Sequence, residues 1–336
     1  MNLAINGFGR IGRATLKTLL ENKNIKIVAI NDLTDLDTLV HLLKYDSVYG
    51  KYGKKVRRSS HHIYVDGKKI KVLAEKDPLN LPWKDLGIDV VMECTGIFRT
   101  KEEAGKHLEA GTRKVIISAP AKGDDEVKTI VPGVNEDKIK KSDKIISLAS
   151  CTTNCLAPAT DVIRKNFGIQ KAIMTTVHSY TSTQNIVDGP HKDLRRGRTA
   201  GINLVPTTTG AAIATTKTIP ELKGKFDGMA VRTPTPVGSI CDVVFLTRKN
   251  VTEEKVNKAF TKASKTAKLK NILKVNTEPI VLTDIVGDPA SSIVDLPMTK
   301  VVDKNLVKVI AWYDNEWGYS NRLADIAEYL RKKKLV

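Results

Sequence analysis

The stretch Ser147-Leu148-Ala149-Ser150-Cys151-Thr152-Thr153-Asn154-Cys155-Leu156-Ala157-Pro158 carries the strongest chemical signal in the chain. A short β-type run, Lys144–Ser147, precedes it, and the residues from about 152 to 166 read as helix. Cys151 is thereby expected at or near a helix N-terminus, where unpaired backbone N–H groups and the helix dipole favour an anion. A thiolate is such an anion and is the reactive form of cysteine, and this setting can lower a thiol pKa below its usual ~8.5. The neighbours Ala149, Ser150, Thr152 and Thr153 leave room for a substrate and offer hydroxyls. Cys155 falls one helical turn deeper, as a packing residue. A lone cysteine is ordinarily a buried small hydrophobe. The whole stretch around Cys151 argues for a nucleophile.

A reactive cysteine needs a base, and Cys–His pairs meet in space rather than in sequence. His178 ends a β-type run, Lys171–Val177, and opens His178-Ser179-Tyr180-Thr181. The plainer reading of such a histidine is a core or surface residue. A second chemistry lies near the start. Gly7-Phe8-Gly9-Arg10-Ile11-Gly12 follows the β-type run Leu3-Ala4-Ile5 and precedes helical periodicity through Leu16, Leu19 and Leu20. The next run, Ile25–Ile30, ends in Asn31-Asp32, with Asp32 20 residues past Gly12. This is dinucleotide-binding spacing: Gly7, Gly9 and Gly12 permit a tight turn and close approach of pyrophosphate to the helix N-terminus, and the carboxylate binds ribose. Asp32 also repels a 2′-phosphate, so NAD is expected over NADP. A third chemistry is anion recognition. Arg195, Arg196 and Arg198 crowd the Gly- and Pro-rich loop Asp188–Arg198, Arg232 sits in Met229–Pro236, and Pro206–Ala212 adds hydroxyls and a glycine. Guanidinium groups hold phosphate through a bidentate fork.

The elements that must position these residues fall into two sets. In the first half, β-type runs continue at Ile70–Leu73, Asp89–Glu93, Lys114–Ser118, Thr129–Val134 and Lys144–Ser147, with helices at 34–44 and 100–111. Alternating strands and helices predict an α/β fold, a Rossmann-type doubly wound parallel sheet. Ligands bind at the C-terminal ends of such strands, where Asp32, Thr95-Gly96 and Ser118 fall. The basic segment Lys51–Asp66 reads as a hairpin or loop. Its histidines, His61 and His62, lack a carboxylate or cysteine at metal-ligand spacing. In the second half, strands Asp242–Thr247 and Lys308–Tyr313 and helices near 208–218 and 252–267 predict an α+β catalytic domain with a mixed, largely antiparallel sheet. A basic amphipathic helix from about 320 to 334 closes the chain.

Composition sets outer bounds. A chain of 336 residues suggests two domains. The net charge of +18, from 55 Lys and Arg against 37 Asp and Glu, reads first as a solvated Lys-rich surface and second as a field for phosphorylated small molecules. The lysines are scattered and lack the aromatic interleaving of single-strand binders, which argues against nucleic acid as primary partner. No apolar run approaches the ~18 residues of a membrane span. The chain enters Asn2–Asn6 without a basic and apolar leader, so a cytoplasmic location is expected. Cys94, Cys151, Cys155 and Cys241 show no paired Cys-x-x-Cys spacing, so neither a metal site nor disulfides are expected.

The octapeptide from Ala149 to Leu156 resembles, residue for residue, the active-site segment of the phosphorylating, NAD-dependent glyceraldehyde-3-phosphate dehydrogenase family. Ser118–Pro120, Thr175–Thr181, Pro206–Ala212, Met229–Pro236 and Asp314–Ser320 are similar to further family segments in the same order. One residue departs: Leu148 stands where most members carry Asn. The resemblance implies that Cys151 is the nucleophile and His178 the base. It implies NAD held by Arg10, Ile11, Asp32, Lys76 and Ser118, with Asn315 on the nicotinamide carboxamide. Thr181 and Arg232 would bind the substrate phosphate, and Ser150, Arg195, Thr209 and Gly210 inorganic phosphate, with Thr152 beside them. On chemistry alone Arg196 and Arg198 compete with Arg195. The implied reaction oxidises glyceraldehyde 3-phosphate with inorganic phosphate to 1,3-bisphosphoglycerate, through a hemithioacetal and a thioester. The runner-up is the related erythrose-4-phosphate dehydrogenase activity. The S-shaped loop around 188–198 implies a homotetramer. The NAD-binding domain would be 1–150, completed by a C-terminal helix at about 316–336, and the catalytic domain 151–315.

Overall fold

The computed structural model describes residues 1–123 and 127–336. The chain folds as two compact units. One comprises Met1–Ile130, Glu136–Ala149 and Ser320–Val336, and the other Val131–Asn135 and Ser150–Tyr319.

The first unit is built on a nine-stranded sheet. Asn2–Asn6 lies at its centre, paired in parallel with Lys26–Asn31 on one side and Val90–Glu93 on the other. Beyond Val90–Glu93 follow Lys114–Ile117, Ile145–Ser147 and Lys128–Thr129, all parallel. Beyond Lys26–Asn31 follow Lys68–Leu73, parallel, and then the antiparallel strands His62–Val65 and Val56–Ser59. The basic segment is therefore a hairpin at the sheet edge. The inner strands read as continuous aliphatic runs because the sheet is buried on both faces: Val90, Val91, Met92, Val115, Ile116 and Ile117 have no exposed surface. The chain leaves Asn2–Asn6 toward one side and returns on the other, which opens a crevice at the C-terminal ends of these strands. Helix Arg10–Leu19 starts there. From the end of the sequence, helix Trp317–Lys332 contributes buried Leu323, Ile326 and Leu330, and Glu328 accepts from Asn22 Nδ2 at 3.1 Å.

One expected strand is shorter than its apolar pattern. Of Thr129–Val134, only the first residue lies in a strand, Lys128–Thr129. The chain then turns at Gly133, φ +85°, where the Asn135 side chain accepts from Val131 N at 2.8 Å. A Cβ at Gly133 would press on Leu269 and Ile272, so Val131–Asn135 packs with the second unit.

The second unit holds an eight-stranded mixed sheet. Ile169–Ser179 pairs parallel with Phe226–Thr233 and antiparallel with Ser239–Thr247, which pairs antiparallel with Leu306–Tyr313. Strand Ser239–Thr247 alternates buried and half-buried residues, as expected for a sheet with one face on a core. That core is completed by helix Cys151–Phe167, whose Cys155, Leu156, Ala159 and Ile163 pack with Met174, Val243, Phe245 and Val309. Packing this helix on the sheet carries its N-terminus to the ends of Ile169–Ser179 and Leu306–Tyr313.

Candidate active site

Cys151 is the first residue of helix Cys151–Phe167. Ala149, two residues before it, has φ +53°, a left-handed conformation that costs a non-glycine residue about 1–2 kcal/mol. Ser150 then caps the helix, its Oγ accepting from Thr153 N at 3.1 Å. Leu148, the departure from the family pattern, is fully buried and donates its N–H to Ile117 O at 3.1 Å, so it serves packing. Cys151 Sγ lies 3.4 Å from His178 Nε2. The sequence pairing of a cysteine with a distant histidine is met as a contact.

His178 sits near the end of Ile169–Ser179, in register with Arg232 on Phe226–Thr233. Its Nδ1 is 2.7 Å from the Ser179 carbonyl and 2.6 Å from Arg232 Nη1, which also donates to that carbonyl at 2.9 Å. A guanidinium only donates, so Nδ1 accepts from Arg232 in this arrangement. Nδ1–H can be donated to the carbonyl, with the Nε2 lone pair turned to the thiol, only where Arg232 is drawn away. Tyr313, which sequence reasoning left out of the site, completes the wall. Its ring meets His178 edge-on with centroids 6.0 Å apart, and its hydroxyl bonds Thr152 Oγ1 at 2.8 Å and Thr176 Oγ1 at 2.9 Å. The available signal was its place at a strand end directly before Asp314-Asn315. Thr152, grouped above with the phosphate-binding hydroxyls, is buried and engaged by Tyr313.

The electrostatics differ from the sequence expectation. Burial pushes the Cys151 thiol up to about 11 from an ordinary 9.0, against the pull of the Arg232 charge and the Thr152 hydrogen bond. That shift corresponds to roughly 3 kcal/mol at ~1.36 kcal/mol per unit, whereas a helix N-terminus typically offers ~0.3–1 kcal/mol. Burial wins. His178 moves the other way, to about 3, because burial and then the Arg232 charge disfavour its cation, with the Ser179 carbonyl opposing. The resting pair is a neutral thiol beside a neutral imidazole.

The anion-binding candidates share this unit. Of the three loop arginines, Arg196 donates to Thr207 Oγ1 at 2.9 Å and Thr208 O at 3.2 Å, and Arg198 to Asp188 at 2.9 Å. Arg195 is exposed, and among the described residues its guanidinium has no partner. Among the described residues Arg195 is thus the one of the three whose guanidinium is not already engaged. Gly210 caps helix Ala211–Thr218 without a side chain of its own, and Thr209 Oγ1 accepts from Ala211 N at 3.2 Å. Thr181 Oγ1 lies 2.9 Å from Thr183 Oγ1. Asn315 Oδ1 accepts from Gly238 N at 2.8 Å and Ser179 Oγ at 3.0 Å, which leaves the amide nitrogen to be offered.

The first unit contains a cavity of about 790 Å³, lined by Gly7, Gly9, Asp32 and Lys76 and walled by Leu33, Pro78, Ile97 and Phe98. Its glycines fit a dinucleotide for separate reasons. A Cβ at Gly7 would come 2.6 Å from Thr95 N, and one at Gly12 2.1 Å from Gly7 O. Nothing of the protein lies within 4 Å of a Cβ at Gly9, so what this glycine keeps clear is the cavity itself. Asp32 accepts from Phe8 N at 2.6 Å and Thr34 N at 2.9 Å, tying the ribose-binding candidate to the glycine turn. Arg10 turns its guanidinium to Asp46 at 2.9 Å, and both it and Ile11, at the start of the helix that follows the glycine turn, sit outside the cavity lining. Ser118 donates its N–H to Glu93 O at 2.9 Å and sits outside the cavity lining. Among the described residues no group of His, Cys, Asp and Glu could hold a metal ion, and no helix is long and apolar enough to cross a membrane.

A glycine-turn cofactor unit and a second unit with a paired cysteine and histidine describe an NAD-dependent oxidoreductase. Residues 1–101 match the family described as glyceraldehyde 3-phosphate dehydrogenase, NAD binding domain, and residues 150–315 its C-terminal domain. The chain is 53% identical to the glyceraldehyde-3-phosphate dehydrogenase of Geobacillus stearothermophilus, over 100% of this chain and 99% of that one. It is 52% identical to that of Streptomyces coelicolor over 98% of both chains, and 53% identical to that of Borreliella burgdorferi over 99% and 100%. The chain belongs to the glyceraldehyde-3-phosphate dehydrogenase family.

Proposed function

We propose that this protein catalyses the NAD-dependent oxidation of glyceraldehyde 3-phosphate with inorganic phosphate, giving 1,3-bisphosphoglycerate. The observation that carries the reading is Cys151 Sγ at 3.4 Å from His178 Nε2, on a helix N-terminus and beside Arg232. His178 Nε2 takes the thiol proton as Sγ adds to the aldehyde carbon and passes it to the former carbonyl oxygen, forming a hemithioacetal and freeing Nε2 again. The Cys151 N–H, uncapped at the helix start, faces the developing oxyanion. NAD, held by the glycine turn, Asp32 and Lys76 with Asn315 on its carboxamide, supplies the acceptor for hydride. His178 Nε2 receives the hydroxyl proton as the hemithioacetal becomes a thioester. Inorganic phosphate, held by Ser150, Arg195, Thr209 and Gly210, then attacks the thioester and releases the thiol. Thr181 and Arg232 hold the phosphate of the triose. An anion there draws Arg232 from His178 Nδ1 and leaves that nitrogen to the Ser179 carbonyl.

The unit beginning at Met1 and completed by Ser320–Val336 is taken as the NAD-binding domain, and the other as the catalytic domain. Ile186, Val187, Leu194, Ile202 and Leu204 are all exposed on one loop, more apolar surface than a free loop carries. We assign it to contacts between copies in a homotetramer. Four free cysteines suit a cytoplasmic protein.

NADH formation from glyceraldehyde 3-phosphate, with and without inorganic phosphate and with erythrose 4-phosphate in parallel, tests the reading. Phosphate-dependent turnover of the triose is expected. Activity with the tetrose alone would replace the substrate, and a single burst without turnover would replace phosphate as acceptor.

A further inference from the structure

Beneath the cofactor cavity, the first unit contains a buried hydrogen-bonded chain that the reaction above does not use. Glu93, the last residue of strand Val90–Glu93, is 1% exposed, and His107 and Trp83 are fully buried. Glu93 Oε2 accepts from Asn6 Nδ2 at 2.6 Å and lies 3.1 Å from His107 Nε2. Its Oε1 accepts from Thr95 N at 2.8 Å and from the Thr95 hydroxyl. On the far side of the imidazole, Trp83 Nε1 lies 3.0 Å from His107 Nδ1.

The protons in this chain are fixed from its ends. An indole N–H only donates, so His107 Nδ1 accepts from Trp83, and Nε2 carries the proton and donates to Glu93. Likewise Glu75 N donates to Asn31 Oδ1 at 2.9 Å, so Asn31 Nδ2 is the donor to Asn6 Oδ1 at 2.7 Å. Asn6 must then face Glu93 with its NH₂. The carboxylate thus receives four donors. A buried charge is costly unless so surrounded, which holds the donors in place as firmly as they hold the charge.

These donors frame the cavity. Asn6, Asn31 and Thr95 all line it. Thr95 Oγ1 also accepts from Ile97 N at 3.0 Å, and Ile97 and Phe98 form a cavity wall. Gly7 leans on the same turn, 2.6 Å from Thr95 N by its absent Cβ. We infer that Glu93 and His107 are positioning residues for NAD: with Trp83 fixing the imidazole tautomer, they set the turn 94–98 and the ends of three strands in the cofactor-binding shape before NAD arrives. The inference rests on reading this cavity as the NAD site.

The test is NAD affinity by equilibrium dialysis, beside steady-state kinetics and thermal unfolding. His107→Leu removes the bonds to both Glu93 and Trp83. His107→Gln can still donate to the carboxylate. Loss of a hydrogen bond to a charged group weakens binding by ~10-fold or more, so His107→Leu is expected to raise Kd and KM for NAD by about that factor. Its kcat at saturating NAD and its KM for the triose phosphate stay within about 2-fold, and His107→Gln recovers most of the loss. Glu93→Gln is isosteric yet sets an NH₂ against at least one fixed donor in either orientation, Thr95 N–H or the Asn6 and His107 N–H groups, and should weaken NAD at least as much. Unchanged NAD affinity in folded His107→Leu would overturn the inference. So would equal losses in the Leu and Gln variants, since that marks a merely structural role. Should His107→Leu not fold, Thr95→Val removes only the hydroxyl linking Glu93 to Ile97, and an unchanged KM for NAD there overturns it too. Failure of the wild-type protein to bind NAD would instead overturn the reading of the cavity.

Discussion

Two ionisable groups in this molecule, the carboxylate of Glu93 and the thiol of Cys151, are handled in opposite ways. Glu93 is surrounded by four donors from the protein itself. Cys151 is half-buried next to a base with which it has not exchanged its proton, and the desolvation that raises the thiol also depresses His178. On the readings proposed above, the first arrangement fixes a shape, and the second withholds a reaction until a substrate changes the surroundings. On those readings binding and reactivity are separated by residue: the cradle is satisfied before its ligand comes, the nucleophile is not.

The separation can be broken most severely at the nucleophile. Cys151→Ser is expected to abolish NADH formation while NAD still binds, measured by turnover and dialysis on one preparation. Near-normal turnover would end the covalent mechanism. Next in size, His178→Asn should slow acylation by ~10²–10⁴-fold, the usual contribution of a general base, again with NAD affinity unchanged. Rapid-mixing kinetics would show it, and a parallel loss of NAD affinity would mean the two regions are not separable. Asp32→Ala should act on the other side alone, weakening NAD by roughly 10-fold, as expected for a lost charge-assisted hydrogen bond, and narrowing discrimination against NADP. The rate of Cys151 alkylation should not move, and an unchanged NAD to NADP ratio would remove Asp32 from the cofactor site.

The smallest effect is on stability, and its sign follows from the two shifts. His178 titrates at about 3 in the folded chain against an ordinary 6.5. Between these values the unfolded chain binds more protons, so stability is full above pH 6.5 and falls as pH drops toward 3. Cys151 keeps its proton to about 11 when folded against 9.0 when unfolded, so stability falls as pH rises from 9 to 11. His178→Asn should flatten the acid limb and leave the alkaline limb. Urea midpoints at pH 4, 7 and 10 would check this, and an acid limb as steep as in the wild type would show that His178 is not what titrates there.

Much of the cradle was legible because it is local. The glycine turn, strand Lys26–Asn31 and Asp32 lie within one βαβ unit, and spacing alone orders them. Cys151 and its helix were legible for the same reason. The residues that escaped act across long separations: Tyr313 reaches Thr152, and His107 reaches Glu93 and Trp83, through contacts that no periodicity announces. The direction of the Cys151 shift escaped because a helix N-terminus is visible in a sequence, whereas the depth of burial is decided by the packing of the whole unit. Val131–Asn135 escaped because an apolar run followed by a glycine reads as a strand until Leu269 and Ile272 claim it.

The helix Trp317–Lys332 bears on the order in which the protein is made. Synthesis runs from the N-terminus, and domains fold as they emerge. Here strand Asn2–Asn6 and the glycine turn emerge before the second unit, yet the unit they found also includes Ser320–Val336. Leu323, Ile326 and Leu330 arrive only after every strand of the second unit has been translated. The unit begun earlier is thus completed only after the second unit has been translated.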